Sequence, residues 1–460
     1  MLLATTNMMC MEVPAVPLLW ILPLALYLLT FIIAFENDRW YFRPAAGSLF
    51  LGFAGWAMYT MSQGAVSSVA QQVGAYSGLA FSACLICHGE LARSKPHPHY
   101  LTLFYLMLSL GGAMGGACVA IVCPLVFNGL WELPIATGAV LSLFALLVVR
   151  ELPLGTPLGR LAIAGALAFL LASGSTYGVV WLVHKTNEAT KYVARNFFGT
   201  LRVFKYHDQD WGDYLQLQNG NIDHGFQLLD KNKRDWPTSY YSADSGVGYA
   251  IQHHPKRLAG DPIHLGVIGL GTGTLAAYGQ PGDTIRFYEI NPNVPGIAQH
   301  IFTYLSDCPA DKSIVLADAR ISLEREAERG ELQDFDVLAI DAFSSDSIPM
   351  HLLTKECMEI YLKHLAPDGI IAFHISNRHL NLSPVVRALA DEFRMDACRI
   401  ENEADASLAA RLSEWILVSY DARFIAGARR AYSSKWPNEQ PQKLLWTDDF
   451  DSLWPILSWH

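Results

Sequence analysis

The sequence predicts a multi-span α-helical membrane domain followed by a Rossmann-like α/β domain. From Val13 to about His184 it consists of long apolar stretches separated by short polar loops, whereas from Lys185 onward charged and turn-forming residues occur at ordinary density. In this second half, short apolar runs alternate with helical patterns, which is typical of parallel strands joined by crossover helices. Of the 460 residues, 52% are hydrophobic and only 17% are charged, an unusual balance for one soluble body.

Six apolar stretches in the first half approach the ~20 residues that a helix needs to cross a bilayer. The glycines between Gly111 and Gly116, in the fourth stretch, would let helices pack closely in lipid. Met1–Glu12 has no basic n-region and no cleavage signature, so we expect no removable signal peptide. The predicted spans are Val16–Phe35, Ala46–Met61, Val66–Cys87, Tyr100–Phe127, Leu133–Val149 and Leu161–Val183.

The charge and the cysteines narrow the choice of partners and prosthetic groups. The net charge of −10 argues against non-specific binding to nucleic acid and suits a cationic substrate. The eight cysteines are scattered, which indicates no disulfide framework. The run Cys84-Leu-Ile-Cys87-His88 matches the attachment pattern of c-type haem, but it ends an apolar stretch. We interpret it as part of a solvated loop between helices and expect neither haem nor a metal.

The sequence pattern of residues 187–252 predicts a small β subdomain. Phe198–Tyr206 and Tyr214–Leu217 have the pattern of paired strands, and Phe226–Leu229 continues it. Asn219-Gly220 favours a turn with positive φ between them.

Residues 253–430 are predicted to form the α/β domain. Its short apolar runs predict parallel strands in an open twisted sheet, whose ligands bind at the carboxyl ends of the strands. We therefore expect about six transmembrane helices in 1–186, the β subdomain in 187–252, the catalytic domain in 253–430 and a C-terminal tail in 431–460. The predicted strands are Ile263–Ile268, Thr284–Tyr288, Ser313–Leu316, Asp336–Ile340, Gly369–Ile375 and Trp415–Ser419.

A glycine-rich turn follows the first of these strands. In Gly269-Leu-Gly271-Thr-Gly273, the missing side chains let the backbone bend tightly and approach a ligand. Thr274 occupies the place of the third glycine of the dinucleotide fingerprint, so a nucleoside fits better than a pyrophosphate. A tight turn without any ligand is the alternative.

Acidic residues follow the second and third strands. Glu289 has a spacing suited to binding two ribose hydroxyls, with a plain surface acid as the alternative. Asp318, followed by Ala319, can accept a hydrogen bond from an adenine amino group or cap the next helix. Together with the glycine turn, these acids predict a fold like that of S-adenosylmethionine methyltransferases.

The fourth strand ends at Asp341, and the loop after it contains Asp346. Two carboxylates at the carboxyl end of a strand can hold a cationic amine and take its proton. The alternative is a polar loop at the start of a helix.

These motifs resemble the spermidine synthase (polyamine aminopropyltransferase) family over roughly Ala194 to Tyr420. The membrane half resembles bacterial proteins in which a multi-span segment is fused to such a synthase, on the runs Val16–Tyr27 and His88–Arg93. The motifs of the second half are Arg195-Asn-Phe-Phe-Gly199, Gly269–Gly273, Glu289, Asp318-Ala319 and Asp341-Ala-Phe-Ser-Ser-Asp346.

The resemblance implies a role for each site residue. Decarboxylated S-adenosylmethionine is the implied co-substrate, with no permanently bound cofactor, and its aminopropyl group would pass to a di- or polyamine such as putrescine, giving spermidine and methylthioadenosine. Asp341 would activate the amine and Asp346 would hold its distal ammonium. The other implied residues are Gly269, Gly271, Gly273, Glu289, Asp318 and Ala319 for the nucleoside, and Tyr240, Tyr241 and Gln227 for the polyamine.

Three features depart from the family's pattern. Thr272 stands where members usually carry an acid that meets the aminopropyl ammonium, and the spacing from Asp341 to Asp346 is longer than usual. The loop that begins at His374 lacks the tyrosine expected for polyamine binding. Two alternatives therefore stay open: an S-adenosylmethionine-dependent methyltransferase, and a membrane protein that binds or transports polyamines without catalysis.

The basic residues give opposed indications of orientation. If there are six spans, six basic residues lie on one side of the membrane, and the positive-inside rule predicts that this side is cytoplasmic. The second half of the chain would then lie outside. These residues are Arg39, Arg43, Arg93, Lys95, Arg150 and Arg160. Lys185, Lys191 and Arg195 argue for the reverse. Because the implied donor is made in the cytoplasm, we expect a multi-pass inner-membrane protein with a cytoplasmic catalytic domain. The expected partners are a polyamine, the lipid bilayer and a second copy in a homodimer, and no nucleic acid.

Overall fold

A computed structural model describes residues 1–12, 19–63, 67–151, 190–220, 222–343, 349–377, 380–432 and 444–457, with scattered positions between 159 and 181. The chain divides into two compact units, Met1–Arg202 and Val203–His460. The boundary between them lies inside a strand of the β subdomain. The finer division into four domains stays a prediction.

The first unit is mainly helical because its apolar residues run with few turn-forming interruptions. A π-helical turn at Cys118–Val122 precedes Pro124, which lacks an amide hydrogen and so cannot continue the regular ladder. The helices are α1 (Leu2–Glu12), α2 (Ile21–Glu36), α3 (Arg43–Gln63), α4 (Val69–Arg93), α5 (Leu101–Ala117), α6 (Cys123–Val126) and α7 (Glu132–Glu151).

Three helical segments of the described chain are long and apolar enough to cross a membrane: Val69–Arg93, Pro98–Val126 and Glu132–Glu151. They match the third, fourth and fifth predicted spans. The helix at the first span, α2, is shorter at 16 residues, and α3, at the second span, is not among the sufficiently apolar helices. The sixth predicted span falls mostly outside the described residues.

The expected solvated loop at Cys84–His88 is wrong, because these residues lie inside α4. The helix continues to Arg93, and the first proline after this run is Pro96. The His88 ring is buried, and its Nδ1 lies 3.1 Å from Thr30 Oγ1. The helix therefore continues through the Cys84–His88 motif, where the sequence predicted its end.

Ion pairs connect both ends of α7 to other elements of the first unit. At its last residue, Glu151 binds Arg43, which also binds Glu90 on α4. At its first residue, Glu132 accepts two hydrogen bonds from the buried Arg195 guanidinium, at 2.7 and 2.9 Å. The 20 residues of α7 separate these clusters by about 30 Å.

The β subdomain contains four strands: β1 (Thr190–Asn196), β2 (Gly199–Asp208), β3 (Gly212–Asn219) and β4 (Ile222–Leu228). β3 and β4 pair antiparallel, with Asn219 opposite Ile222. Gly220 has the positive φ of +57° that the predicted turn requires. The sequence did not predict β1.

The second unit is built on a seven-stranded sheet in the order β10-β11-β9-β8-β5-β6-β7. The strands β5 to β9 are parallel, as predicted. The prediction is wrong for β11, which runs antiparallel to β9 because the unpredicted edge strand β10 precedes it and pairs with it. The strands are β5 (His264–Ile268), β6 (Thr284–Glu289), β7 (Asp311–Leu316), β8 (Phe335–Ile340), β9 (Leu365–His374), β10 (Asp396–Asn402) and β11 (Ser413–Ser419).

The strand order creates a crevice at one edge of this sheet. β5 lies between β6 and β8, so the connection after β5 leads to one side and the connection after β7 leads back to the other. Ligands of open α/β sheets bind at such a switch point, outside the carboxyl ends of the strands. The helices of the unit are α8 (Gly246–Gln252), α9 (Pro255–Ala259), α10 (Asn293–His300), α11 (Tyr304–Asp307), α12 (Ala319–Glu328), α13 (Lys355–Lys363), α14 (Ser383–Glu392) and α15 (Ala422–Ala431).

Candidate active site

The glycine turn lies at the switch point, directly after β5. Gly269, Gly271 and Gly273 all have positive φ, at +102°, +52° and +82°. A β-carbon on Gly269 would lie 2.3 Å from the Asp341 backbone oxygen. The turn therefore requires glycine both for its conformation and for its close approach to the end of β8.

The Glu289 carboxylate lies next to this turn and is buried. Its Oε2 accepts a hydrogen bond from the Leu270 amide at 3.1 Å, and its Oε1 accepts one from the Asn291 amide at 2.8 Å. Burial raises the pKa of Glu289, and the backbone donors partly oppose that rise. The carboxylate is thus held beside the glycine turn by backbone groups, while its role in ribose binding stays a prediction.

Asp318 is the N-cap of α12, which Ala319 begins. Its Oδ1 accepts from the Ile321 amide at 3.0 Å, and its Oδ2 lies 3.1 Å from His351 Nε2. The hydrogen bond with His351 lowers the pKa of Asp318. Asp318 therefore caps α12, and its contact with adenine stays a prediction.

Asp341 follows β8 and faces two hydrogen-bonding side chains. The Tyr241 hydroxyl donates to Oδ2 at 2.6 Å, and His374 Nδ1 lies 2.6 Å from Oδ1. Burial, followed by the nearby Asp341 charge, raises the pKa of Tyr241 well above its ordinary value. Each carboxylate oxygen thus has one fixed partner, which orients the group at the mouth of the crevice.

His374 is the residue whose contacts the sequence did not reveal. It ends β9, the strand next to β8, and its ring stacks on Trp415 at a centroid distance of 4.4 Å and an angle of 8°. Its Nε2 lies 2.8 Å from Ser376 Oγ, and the Glu414 amide donates a hydrogen bond to the same oxygen. The sequence signal for this role is a polar residue at the end of the strand adjacent to the Asp341 strand, whereas the prediction for this segment concerned only the tyrosine that it lacks.

Of the predicted polyamine-binding residues, the two tyrosines lie beside Asp341 and His374, whereas Gln227 is bonded to other protein groups. The Tyr240 ring lies 5.4 Å from the His374 ring, so both predicted tyrosines border the Asp341 cluster. Gln227 is buried, and its amide is satisfied by protein groups: it donates to the Arg234 carbonyl and to Thr303 Oγ1, and accepts from the Thr303 amide. These bonds favour a structural role for Gln227. Asp346 lies outside the described residues.

No acid stands at the centre of the glycine turn, as the sequence indicated. Thr272 Oγ1 bonds to Thr274 Oγ1 at 2.7 Å, and β4 packs over both, because a β-carbon on Gly225 would lie 2.9 Å from Thr272 Oγ1. The neighbouring His224 has a buried Nε2 without a hydrogen-bond partner among the described residues. Burial lowers the pKa of His224 to about 4, so a neutral imidazole adjoins the turn.

One group in the described chain has the composition of a metal site. His254, Asp336 and Asp368 offer ligand atoms within 4.8 Å of one another. However, the Lys256 ammonium lies 2.7 Å from Asp336 Oδ1 and already supplies a positive charge there. Asp336 is near the start of β8, so this group lies at the edge of the sheet opposite Asp341.

The comparisons of sequence find two polyamine aminopropyltransferases and one methyltransferase. A polyamine aminopropyltransferase of Vibrio vulnificus is 30% identical over 139 residues, which are 29% of this chain and 45% of that protein. The second unit resembles the spermidine synthase family. A probable polyamine aminopropyl transferase of Bifidobacterium longum is 23% identical over 197 residues, which are 40% of each chain. An N-terminal histidine N-methyltransferase of Emericella nidulans is 28% identical over 141 residues, which are 30% of this chain and 25% of that protein.

The matched region spans less than half the length of each of these relatives. No protein-family model matches the sequence. Among solved structures, the spermidine synthase from Thermotoga maritima superposes with a TM-score of 0.38 and 15% identity, covering 57% of this chain and 82% of that one. A probable spermidine synthase from Corynebacterium glutamicum gives 0.37 and 16%, covering 52% and 85%.

Proposed function

We propose that this chain is an aminopropyltransferase that uses decarboxylated S-adenosylmethionine and a di- or polyamine such as putrescine. The observation that carries the proposal is the Asp341 carboxylate, oriented by Tyr241 and His374 directly beside the glycine turn. Methyl transfer to a neutral acceptor does not require a carboxylate in that place. Transfer to an ammonium acceptor does, because the acceptor must be held and must lose a proton before it can attack. The similarity to polyamine aminopropyltransferases supports the same proposal of aminopropyl transfer.

In this proposal the donor's nucleoside binds along the carboxyl ends of β5, β6 and β7. The open backbone of Gly269–Gly273 accommodates it, Glu289 accepts from its ribose hydroxyls, and Asp318 and Ala319 border the adenine. The acceptor amine enters beside Tyr240 and Tyr241. The amine nitrogen attacks the aminopropyl carbon next to the sulfonium, and methylthioadenosine leaves with the electrons of the broken C–S bond. Orientation of the two substrates supplies much of the rate.

The test is formation of methylthioadenosine by the purified full-length protein in detergent. Decarboxylated S-adenosylmethionine is offered with putrescine, with spermidine and with other diamines, each separately. We expect methylthioadenosine and the matching aminopropylated amine with at least one acceptor. Absence of both products with every acceptor would refute the proposal, provided that the folded state is confirmed by thermal unfolding.

We further propose that the first unit anchors the enzyme in the inner membrane, with the catalytic unit in the cytoplasm. Three apolar helical segments support the anchoring, and the cytoplasmic origin of the donor supports the orientation. The basic residues that give opposed indications of orientation lie at opposite ends of α7: Arg43 binds its last residue and Arg195 binds its first. A reporter fused after His460 decides the matter: alkaline phosphatase should be inactive and a fluorescent protein bright, and the reverse would refute the orientation.

A methyltransferase is the second candidate, and Thr272 is the observation that favours it. Without an acid there, nothing in the glycine turn distinguishes the aminopropyl ammonium of the decarboxylated donor. Binding of the donor with and without its carboxylate, measured by calorimetry, separates the two functions. Tighter binding of the form without carboxylate supports aminopropyl transfer.

A further inference from the structure

The hydrogen-bond chain from Asp341 through His374 to Ser376 has one arrangement of hydrogens that satisfies it best. The Glu414 amide donates to Ser376 Oγ at 2.7 Å, so the serine hydroxyl must direct its own hydrogen elsewhere. His374 Nε2 lies 2.8 Å from that oxygen, whereas the Glu414 carbonyl oxygen lies 3.5 Å from it. The shorter contact favours a hydroxyl that donates to Nε2, and this arrangement makes Nε2 the unprotonated nitrogen of the ring.

The opposite ring nitrogen then carries the hydrogen. His374 Nδ1 donates to Asp341 Oδ1 at 2.6 Å, and the carboxylate fixes this tautomer. Carboxylate, imidazole and hydroxyl follow one another in the same order as in a serine protease triad. In such a triad the imidazole takes the proton and the carboxylate stabilises the imidazolium that forms.

We propose that His374 takes the proton that the attacking amine loses, with Ser376 as the relay and Asp341 as the group that stabilises the imidazolium. This inference rests on the proposed aminopropyl transfer. The bound ammonium gives a proton to Ser376 Oγ while the hydroxyl proton moves to His374 Nε2. The products of this step are a neutral amine, an intact serine and an imidazolium–carboxylate pair.

The displacement then proceeds with atoms and charges in balance. The amine lone pair forms the new C–N bond, the C–S electron pair leaves with methylthioadenosine, and the product nitrogen keeps its positive charge. His374 returns its proton to solvent through Ser376 once the product has left. The chain is then ready for the next amine.

An imidazole is better matched to this task than a carboxylate. A free carboxyl of aspartate has a pKa of about 3.9, a free imidazole about 6.5 and a primary ammonium about 10.4. General bases work best when their proton affinity lies near the operating pH. Asp341 also has both oxygens occupied by donors, from Tyr241 and His374, whereas His374 Nε2 faces a hydroxyl that can exchange its hydrogen.

The His374 ring lies among aromatic side chains and titratable groups. Trp415 stacks on one face and Phe343 meets the ring edge-on, which keeps water out. The described titratable groups around the cluster include two carboxylates, of which Asp341 contacts the ring and would stabilise an imidazolium formed there. These groups are Asp341 after β8, Tyr240 and Tyr241 after β4, Glu414 on β11 with its partner Arg399 on β10, and His224 on β4.

The variant that isolates the proton step is His374→Asn. Its side-chain amide takes the place of Nδ1–H and can still donate to Asp341, but it cannot accept a proton. We expect kcat to fall by about 10²-fold or more with KM nearly unchanged, and the remaining rate to rise with pH as more free amine becomes available. Ser376→Ala should show the same pH dependence with a smaller loss.

A matched control is His364→Asn, at a histidine that is buried in the same unit and bonds the Leu323 carbonyl instead. It should keep the wild-type kcat and pH profile. If His374→Asn also keeps them, His374 only positions Asp341 and the proposal is overturned.

A second measurement needs no substrate. Nitrogen-15 histidine NMR of the full-length protein in detergent, assigned with the His374→Asn variant, reports which ring nitrogen carries hydrogen. We expect hydrogen on Nδ1 alone at high pH, with Nε2 gaining one as the pH falls. Hydrogen on Nε2 at high pH would contradict the proposal. This result stands even if the wild-type protein forms no methylthioadenosine, which would refute the proposed function instead.

Discussion

The two units of this chain place their apolar and charged side chains in opposite ways. In the first unit, large apolar side chains such as Leu125, which is 82% exposed, point outward, and the charged Arg195 and Glu132 lie inside. In the second unit, the apolar side chains of β8 are fully buried, and polar groups gather at the carboxyl edge of the sheet. Exposed apolar surface suits contact with lipid, whereas buried polar groups at a switch point suit contact with a ligand.

This difference also separates two uses of a buried charge. Arg195 and Glu132 satisfy one another, so the pair serves the structure of its unit. Among the described side chains that bond to Asp341, only His374 can become cationic, so no permanent positive charge cancels that of the carboxylate. Charges of the first unit should therefore govern stability, and charges of the second unit should govern activity.

The largest expected effect is on activity, in Asp341→Asn. The amide keeps the size of the side chain but cannot stabilise a neighbouring positive charge, so kcat/KM should fall by about 10²- to 10⁴-fold. The midpoint of thermal unfolding should hardly change. Asp396→Asn, at an exposed acid of the edge strand, is the control and should leave both quantities as they are. A large loss of stability in Asp341→Asn would erase the distinction between the units.

The largest expected effect on stability belongs to the first unit, in Arg195→Met. It leaves Glu132 buried without its partner, which costs about 3–5 kcal/mol. Thermal unfolding in detergent measures the loss. Arg329→Met breaks an exposed pair with Glu331 and should produce no measurable change. Equal behaviour of the two variants would show that the buried pair does not hold the unit together.

A pair of glycine variants measures how tightly the turn is built. Gly260→Ala places a side chain at a φ of +84° in open space and should cost about 1–2 kcal/mol. Gly269→Ala also places a side chain at a positive φ, +102°, and in addition meets the Asp341 backbone oxygen at 2.3 Å, which should add about 1–3 kcal/mol. It should also abolish binding of methylthioadenosine, measured by calorimetry. Normal binding by Gly269→Ala would place the nucleoside elsewhere.

The smallest expected effect concerns Glu289. Its carboxylate must be ionised to accept two ribose hydroxyls, and its pKa is raised above the ordinary value of 4.5. Binding of methylthioadenosine should therefore weaken as the pH falls through this raised pKa, earlier than for an exposed glutamate. Glu289→Gln should weaken binding by about tenfold and remove this pH dependence. The exposed Glu331→Gln serves as the control, and pH dependence that persists in Glu289→Gln would exclude its role.

The parts of the fold that the sequence predicted are those encoded by local patterns. The strands that end in the glycine turn, Glu289 and Asp341 are continuous apolar runs closed by a polar or glycine residue, so both ends were visible. β10 was missed because only Cys398 and Ile400 alternate with charged residues in it. Its insertion at the edge reverses β11, which no local pattern reveals.

The contacts of the candidate site depend on the tertiary fold. His374 and Asp341 are 33 residues apart in sequence and meet because β8 and β9 are neighbours, which follows from the strand order and not from a motif. The same holds for Tyr241, which reaches Asp341 from the segment after β4. Cys84–His88 shows the opposite error, since a familiar motif suggested a loop where the helical pattern continued.

The central claim is that Asp341 and its partners serve aminopropyl transfer. The most direct measurement offers the full-length protein equal amounts of S-adenosylmethionine and its decarboxylated form together with putrescine, and quantifies both nucleoside products. The account predicts methylthioadenosine from the wild-type protein and almost none from Asp341→Asn. S-adenosylhomocysteine as the main product, lost in the same variant, would contradict it and identify a methyltransferase.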